Sequence, residues 1–259
     1  MSKGATTVDG GYREVLTRLA GAQKAAARGA PAYSRFVNRR LGRYLAAWAF
    51  RAGLTPDAVT GISAVFTFAG IAVLALVPPT LGSGILVTFC LLTGYAFDSA
   101  DGQVARLRGG GSPAGEWLDH MVDALKVVTM PLALMVGFYR FDVVDHVWLL
   151  VPAGFAIVSA VLFFGMILTE QLRRQAGTAS VAQDRPGRPS WVRSVLVVPT
   201  DYGVLCLSFL VLGLTDVFVV IYTLLFLATT GFLVLASAKW FGEMRGLRPV
   251  RSVSDKAGP

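Results

Sequence analysis

Six apolar stretches of about 20 residues each run through the 259-residue chain, and this length suits helices that cross a lipid bilayer. Hydrophobic residues make up 54% of the sequence and charged residues only 15%, against about 25% charged in soluble domains. The sequence therefore predicts an all-α integral membrane protein and excludes disordered, coiled-coil, collagenous and disulfide-stapled secreted architectures. We place the six membrane spans near residues 58–77, 84–105, 113–138, 146–168, 195–214 and 217–238.

The net charge of +8 would suggest a nucleic-acid partner if the protein were soluble. Here 22 of the 24 Lys and Arg lie before the first span, after the last one, or after the second and fourth spans. With six spans, all of these segments lie on the same side of the membrane. Such an asymmetry is typical of cytoplasmic segments. We therefore expect both termini in the cytoplasm, a plasma membrane of the bacterial type, and no nucleic-acid partner.

Three segments are predicted: a poorly structured cytoplasmic segment (residues 1–33), a membrane domain (34–240) and a cytoplasmic tail (241–259). The membrane domain begins with residues 34–53, where arginines alternate with large apolar side chains. This pattern predicts a basic amphipathic helix in the lipid headgroup layer, the alternative being a helix that packs on another cytoplasmic element. Cys90 and Cys206 lie inside apolar runs, so neither a zinc site nor a disulfide framework is expected.

Four aspartates interrupt the second and third spans near one end of each. An acidic side chain in a membrane helix is costly and is rarely kept without a use. Asp98 and Asp101 are three residues apart, and Asp119 and Asp123 are four apart, so each pair shares one helix face. A short loop joins the two helices, so the two faces can meet. Carboxylates gathered in this way predict a site for a hard divalent cation.

Small and basic residues accompany these acids. Gly102, Ala105 and Gly115 leave the helix backbone bare, which lets a ligand approach closely. Arg106 supplies a guanidinium suited to a phosphate. A metal site, a phosphate site and a spare carboxylate together predict phosphoryl-transfer chemistry.

The run at residues 98–106, Asp-Ser-Ala-Asp-Gly-Gln-Val-Ala-Arg, followed at fixed spacing by Gly115, Asp119 and Asp123, resembles the signature of the CDP-alcohol phosphotransferase (CDP-alcohol phosphatidyltransferase) family at every defining position. Residues 55–60, Thr-Pro-Asp-Ala-Val-Thr, are similar to the start of that family's first transmembrane helix. The resemblance covers residues 34–240 or so. It implies six spans with cytoplasmic termini and transfer of a substituted phosphate from a CDP-linked alcohol to an acceptor hydroxyl, with release of CMP.

The resemblance also implies roles for individual residues. Asp123 would be the general base that takes the proton of the acceptor. The ligands of Mg²⁺ or Mn²⁺, bound as one ion or as a pair, would be Asp98, Asp101, Asp119 and Asp123. The residues that shape the CDP pocket would be Gly102, Ala105, Arg106, Gly115 and Thr60. Members of the family are usually homodimers, and the same is expected here by analogy.

The donor is expected to be CDP-diacylglycerol, with a small polar alcohol or its phosphate as acceptor, in phospholipid biosynthesis. The alternative is a CDP-linked polar headgroup transferred to a lipid alcohol. Members that make phosphatidylinositol phosphate often carry Arg directly after the last signature Asp and an acid one turn later. Here Ala124 and Val127 hold those positions, which weakens an assignment to inositol phosphate. A cation-coupled transporter is a remote alternative, because the acids cluster at one interface and no internal repeat is visible.

Polar residues outside the signature have open assignments. Lys126 could pair with an acid, snorkel towards the membrane surface or meet an anionic acceptor. Asp201, beside Tyr202, interrupts the fifth span and is expected to border the acceptor pocket. Three arginines are expected to set topology, with an acceptor-phosphate contact as the alternative: Arg173, Arg174 and Arg193. Residues expected to face water or to pack beside the site are Glu116, Glu170 and His120.

Overall fold

The computed structural model describes residues 11–22, 31–177 and 200–247, and every regular element within these ranges is a helix. The helices are α1 (Tyr12–Ala22), α2 (Arg39–Arg51), α3 (Pro56–Leu76), α4 (Leu81–Leu107), α5 (Pro113–Arg140), α6 (Leu150–Gln175), α7 (Tyr202–Ser208) and α8 (Thr215–Gly246). A π-helical turn leads into α2 (Ser34–Asn38), and 3₁₀ turns precede α6 (His146–Leu149) and follow α7 (Phe209–Val211). The predicted all-α class is confirmed.

Among the described helices, five are long and apolar enough to cross a membrane, namely α3, α4, α5, α6 with its preceding turn, and α8. They correspond to the first four predicted spans and the sixth. The predicted span at residues 195–214 appears in the described part of the chain as a shorter apolar segment, Tyr202–Val211, while residues 195–199 lie outside it. The total of six spans and the cytoplasmic position of the termini therefore stay predictions.

The connection between α4 and α5 lets the signature reverse direction within five residues. Gly109 and Gly110 adopt φ values of +94° and +134°, conformations that residues with a Cβ rarely take. Ser112 then caps α5 by accepting a hydrogen bond of 3.0 Å from the backbone N–H of Gly115. The signature aspartates of α4 and α5 thus lie on helices that run in opposite directions from one tight turn.

Helix α3 packs against both signature helices, whereas the backbones of α4 and α5 barely approach each other. The contact of α3 with α4 is close because small residues line it. The hydroxyl of Ser63 donates to the carbonyl oxygen of Gly94 at 2.8 Å, and a Cβ on Gly94 would lie 2.1 Å from Thr67 Oγ1. As a result, α3 holds α4 and α5 in place with a gap between them.

The segment at residues 34–53 forms a helix, as predicted, and packs along α4. Small buried residues form the contact, and a Cβ on Gly42 would lie 2.7 Å from Ser99 Oγ. Large apolar side chains that are 40–55% exposed lie elsewhere on the same helix: Phe36, Val37, Leu41, Tyr44 and Trp48. The helix therefore packs on the domain and still presents an apolar surface suited to the headgroup layer.

Part of the segment predicted to be poorly structured, residues 12–22, forms a helix. Val15 and Leu19, spaced four apart, are each 1% exposed and pack with α2 and α4. The hydroxyl of Tyr12 donates to the carbonyl oxygen of Tyr44 at 3.0 Å. This short apolar stripe is enough to dock α1 on the domain, although it lacks the length of a membrane span.

Candidate active site

Asp98 on α4 and Asp123 on α5 meet at the ammonium group of Lys126. Lys126 Nζ lies 3.1 Å from Asp98 Oδ1 and 2.5 Å from Asp123 Oδ1. The two carboxylate side chains are about one-fifth exposed, whereas the lysine side chain is only 7% exposed. The ion pairs join the signature helices across the gap between them. Of the roles open to Lys126, pairing with an acid is the one present in the structure.

Asp101 is oriented by two hydrogen bonds. Its Oδ2 accepts from Thr60 Oγ1 on α3 at 2.7 Å, and its Oδ1 accepts from the backbone N–H of Gly102 at 2.5 Å. Thr60 and Asp101 are both buried, and Asp101 interacts electrostatically with Asp98 and Asp119. Thr60, expected beside the CDP pocket, thus contacts a signature carboxylate directly.

Asp119, His120 and Asp123 each offer one potential ligand atom, and these atoms lie within 4.8 Å of one another. Asp98 and Asp101 fall outside this closest group among the described residues. Asp123 Oδ1 is buried and is paired with the ammonium group of Lys126. The ring of His120 packs edge-on against Phe163, with centroids 6.4 Å apart. His120 therefore packs beside the site, as expected, and also lies within reach of the acids.

Asp57 is a residue that the sequence analysis missed. A Cβ on Gly115 would lie 3.0 Å from Asp57 Oδ1 and 3.2 Å from Ser112 Oγ. The absence of a side chain at Gly115 therefore lets the first turn of α3 approach the first turn of α5. The signal for Asp57 was its place one helical turn before Thr60 in the run at residues 55–60.

The end of α4 brings two guanidinium groups together. Arg106 is exposed, and Arg39 on α2 is close enough for the two charges to repel. Gly102 is open, since a Cβ there would meet only Arg106 Nη1, at an ordinary 3.6 Å. Ala105 is buried, so it contributes to packing. Two neighbouring positive charges beside an open glycine favour an anion such as a diphosphate. The sequence analysis did not single out Arg39.

The two described arginines at the end of α6 form ion pairs with carboxylates. Arg173, which is buried, pairs with Glu243 on α8. Arg174 Nη1 lies 2.6 Å from Glu116 Oε1 at the start of α5. Glu170 lies within 3.8 Å of both arginines and is 21% exposed, so the expectation that it faces water is wrong. Glu116 is exposed, as predicted, but is engaged by Arg174.

Asp201 is 1% exposed and accepts hydrogen bonds from backbone N–H groups at the starts of two helices. Its Oδ2 accepts from Tyr33 at 2.8 Å and from Ser34 at 3.3 Å, and its Oδ1 accepts from Gly203 at 3.0 Å. The structure thus gives this acid a capping role, and its expected position at the acceptor pocket stays a prediction. Arg193 lies outside the described residues.

Comparison with solved structures finds the same fold in a phosphatidylinositol phosphate synthase of Mycobacterium tuberculosis with CDP-DAG bound. The TM-score is 0.52 at 21% identity, covering 79% of this chain and 94% of the other. A structure of the same synthase with manganese and citrate gives a TM-score of 0.46 at 23% identity, covering 76% and 87%.

Sequence comparisons find a phosphatidylinositol phosphate synthase of Mycobacterium marinum (strain ATCC BAA-535 / M) that is 40% identical over 96 residues, or 37% of this chain. The aligned region spans 39% of that relative's length. The family model described as CDP-alcohol phosphatidyltransferase matches residues 53–242, well over half of the chain. The resemblance seen in the signature is confirmed, and the chain belongs to the CDP-alcohol phosphatidyltransferase family.

Proposed function

We propose that the protein transfers the phosphatidyl group of CDP-diacylglycerol to the hydroxyl of a small polar alcohol or its phosphate and releases CMP. The observation that carries this proposal is the meeting of Asp98 and Asp123, from separate helices, across the gap between α4 and α5. A site between the ends of two membrane helices can receive a headgroup while the lipid tails stay in hydrocarbon. Family membership and the name of the Mycobacterium marinum relative support a CDP-linked donor.

The residues present fit a divalent cation. Atoms of Asp119 and Asp123 are close enough to share one ion, although Asp123 Oδ1 is also paired with Lys126. The site is rich in carboxylate oxygens, which suit Mg²⁺ or Mn²⁺ better than softer metals. We assign the metal-holding role to the four signature aspartates. When bound, the ion would supply positive charge that stabilises the charge developing on the leaving CMP.

The chain's own residues have distinct tasks in this proposal. Asp123 accepts the proton of the acceptor hydroxyl while the hydroxyl oxygen of the acceptor forms a bond to the phosphatidyl phosphorus. The bond from that phosphorus to the CMP oxygen breaks, and CMP leaves with the bonding electrons. Arg106 binds the diphosphate, and Thr60 keeps the Asp101 carboxylate in one orientation. Gly102 leaves room for the donor to approach the end of α4.

The acceptor is the least specified part of the proposal. The Mycobacterium marinum relative is named for phosphatidylinositol phosphate synthesis, which makes inositol phosphate a first candidate. Ala124 and Val127 depart from the pattern often seen in such enzymes, which favours a different polar alcohol or its phosphate. An acceptor panel must therefore contain both kinds of compound.

We also propose that the site faces the cytoplasm. Arg106 and Arg108 lie at the turn that follows the aspartates of α4, and most other basic residues belong to segments predicted on the same side. Positive charge of this kind is retained in the cytoplasm during insertion. Water-soluble substrates made in the cell would reach the site from that face.

The test is CMP release by the full-length protein in lipid nanodiscs supplied with Mg²⁺ or Mn²⁺. CDP-diacylglycerol is offered with inositol phosphate, glycerol phosphate and unphosphorylated polyols. Acceptor-dependent CMP that disappears on chelation is the expected result and names the acceptor. CMP formed only from a CDP-linked headgroup with diacylglycerol would establish the alternative reaction, in which a polar headgroup is transferred to a lipid alcohol. Absence of both activities in a folded protein would contradict the proposal.

A further inference from the structure

Lys126 is a fixed positive charge inside the carboxylate site. Lys126 is 6% exposed, so bulk water and ions do not screen its ammonium charge as they would screen that of a surface lysine. The side chain reaches neither membrane surface by snorkelling, because Nζ is turned towards Asp98 and Asp123. Nζ also lies 5.3 Å from the ring centroid of Tyr202 on α7, a cation–π contact.

These contacts connect three separate elements through one side chain. Lys126 and Asp123 are three residues apart on α5, so their pairing alone needs no tertiary contact. The pair with Asp98 does need one, because Asp98 is on α4 and the two backbones barely approach each other. The long lysine side chain therefore bridges a gap that the helix backbones leave open.

The bridging ammonium contacts two of the four carboxylates assigned to a divalent ion. Cations that share the same carboxylates compete, because each positive charge raises the cost of bringing in the next. With Lys126 in place, a divalent ion meets three uncompensated negative charges among the four aspartates. Without Lys126, it would meet all four, and the metal-free site would lose the ammonium group that now pairs with two of them.

We propose that Lys126 is the resident cation of this site. It holds Asp98 against Asp123 when no divalent ion is bound, and it competes with a divalent ion for these two carboxylates. This inference rests on the proposed metal site, but it concerns the lysine and its two partners. Lys126 acts as a positioning residue here, since its effect passes through the two carboxylates that it contacts.

The test compares two neutral variants, Lys126→Met and Lys126→Gln, with Lys126→Arg, which keeps the charge. The matched control is Lys239→Met, because Lys239 is also on a helix and paired with Glu243 at 3.8 Å, but its side chain is 66% exposed. Two properties of the full-length protein are measured in nanodiscs. One is Mn²⁺ binding, from the electron paramagnetic resonance signal of free Mn²⁺, and the other is the thermal midpoint with chelator or with saturating Mn²⁺.

Both neutral variants should bind Mn²⁺ at least about tenfold more tightly than the unaltered protein, or bind one further ion. Their thermal midpoint in chelator should fall by at least about 4 °C, and Mn²⁺ should restore most of that loss. Lys126→Arg and Lys239→Met should behave like the unaltered protein. If Lys126 had a purely structural role, its substitution would lower the thermal midpoint equally with and without Mn²⁺ and would leave the affinity for Mn²⁺ unchanged.

Unchanged Mn²⁺ binding in both neutral variants would overturn the inference while leaving the proposed metal site intact. Failure of both variants to fold even in Mn²⁺ would also overturn it, since the divalent ion should replace the missing charge. If the unaltered protein bound no Mn²⁺ at all, the metal site of the proposed function would fail first. The two failures are therefore distinguishable.

Discussion

Thr60 on α3 donates a hydrogen bond of 2.7 Å to Asp101 on α4, and both side chains are buried. A buried hydrogen bond to a charged group contributes about 1.5–3 kcal/mol. Thr60→Val keeps the shape and removes the donor, so CMP release should fall by about tenfold to a hundredfold. Thr60→Ser should retain most of the rate, and Thr67→Val, which changes another buried threonine of α3, should retain all of it. A normal rate in Thr60→Val would show that this bond does not position Asp101 for the reaction.

Asp123→Asn removes the proposed base with little change of shape. Turnover should fall by at least about a hundredfold, because general-base catalysis typically contributes 10²–10⁴-fold. Binding of CDP-diacylglycerol, measured by titration calorimetry in nanodiscs, should persist. Asp216→Asn, at the start of α8, is the control for removing a carboxylate from a membrane helix. Retained turnover would remove Asp123 from the base role, and loss of donor binding would assign it to binding.

Asp201→Ala removes a side chain that accepts hydrogen bonds at the starts of two helices. Losing one helix cap costs about 0.5–2 kcal/mol, so the double loss should lower the thermal midpoint by roughly 2–15 °C. The KM for the acceptor should not change in the protein that stays folded. The reverse pattern, a raised acceptor KM at an unchanged midpoint, would return Asp201 to the acceptor pocket.

Gly94→Ala places a methyl group 2.1 Å from Thr67 Oγ1 and 3.0 Å from the carbonyl oxygen of Ser63. Overpacking of this kind costs about 1–3 kcal/mol, so the midpoint of thermal unfolding should fall. Gly231→Ala is the matched control, because a Cβ there meets nothing within 4 Å. Thr67→Ala should rescue only part of the loss, since the Ser63 carbonyl remains. Equal midpoints for the two glycine variants would contradict the close approach of α3 and α4.

Arg173 and Arg174 are neighbours with different surroundings. Arg173→Met should therefore lower the stability of the protein more than Arg174→Met does. Arg173 is 10% exposed in its pair with Glu243, and breaking a buried pair costs roughly 3–5 kcal/mol, here reduced because the glutamate is 35% exposed. Arg174 and Glu116 are both about half exposed, so their pair contributes only about 0–1 kcal/mol. Neither variant should change the acceptor KM. A KM raised by Arg174→Met for phosphorylated acceptors alone would instead support an acceptor-phosphate contact.

Local spacing in the sequence predicted much of the fold and the way in which the signature aspartates pair on their helices. Apolar length placed five helices that the structure contains, and spacings of three and four put each aspartate pair on one helix face. The same reasoning could not place the contact of Gly115 with Asp57, since it joins the starts of two helices whose packing no local pattern specifies. The capping partners of Asp201 could not be predicted for a related reason. A buried acid in an apolar segment indicates a partner, but backbone N–H groups 168 residues away satisfy it as well as a ligand would.

The tie between Asp201 and the backbone of Tyr33 also constrains how the chain is made. The two residues are 168 positions apart, which a ribosome translates in roughly 10–30 seconds at about 5–20 residues per second. During that interval the helical turn that begins at Ser34 has been made, but the Asp201 carboxylate that accepts hydrogen bonds from its first N–H groups has not. The start of the helical segment that leads into α2 is therefore completed by a residue synthesised 168 positions later. A nascent chain that stalls before residue 201 holds the whole signature and lacks the acid that caps the helical turn leading into α2.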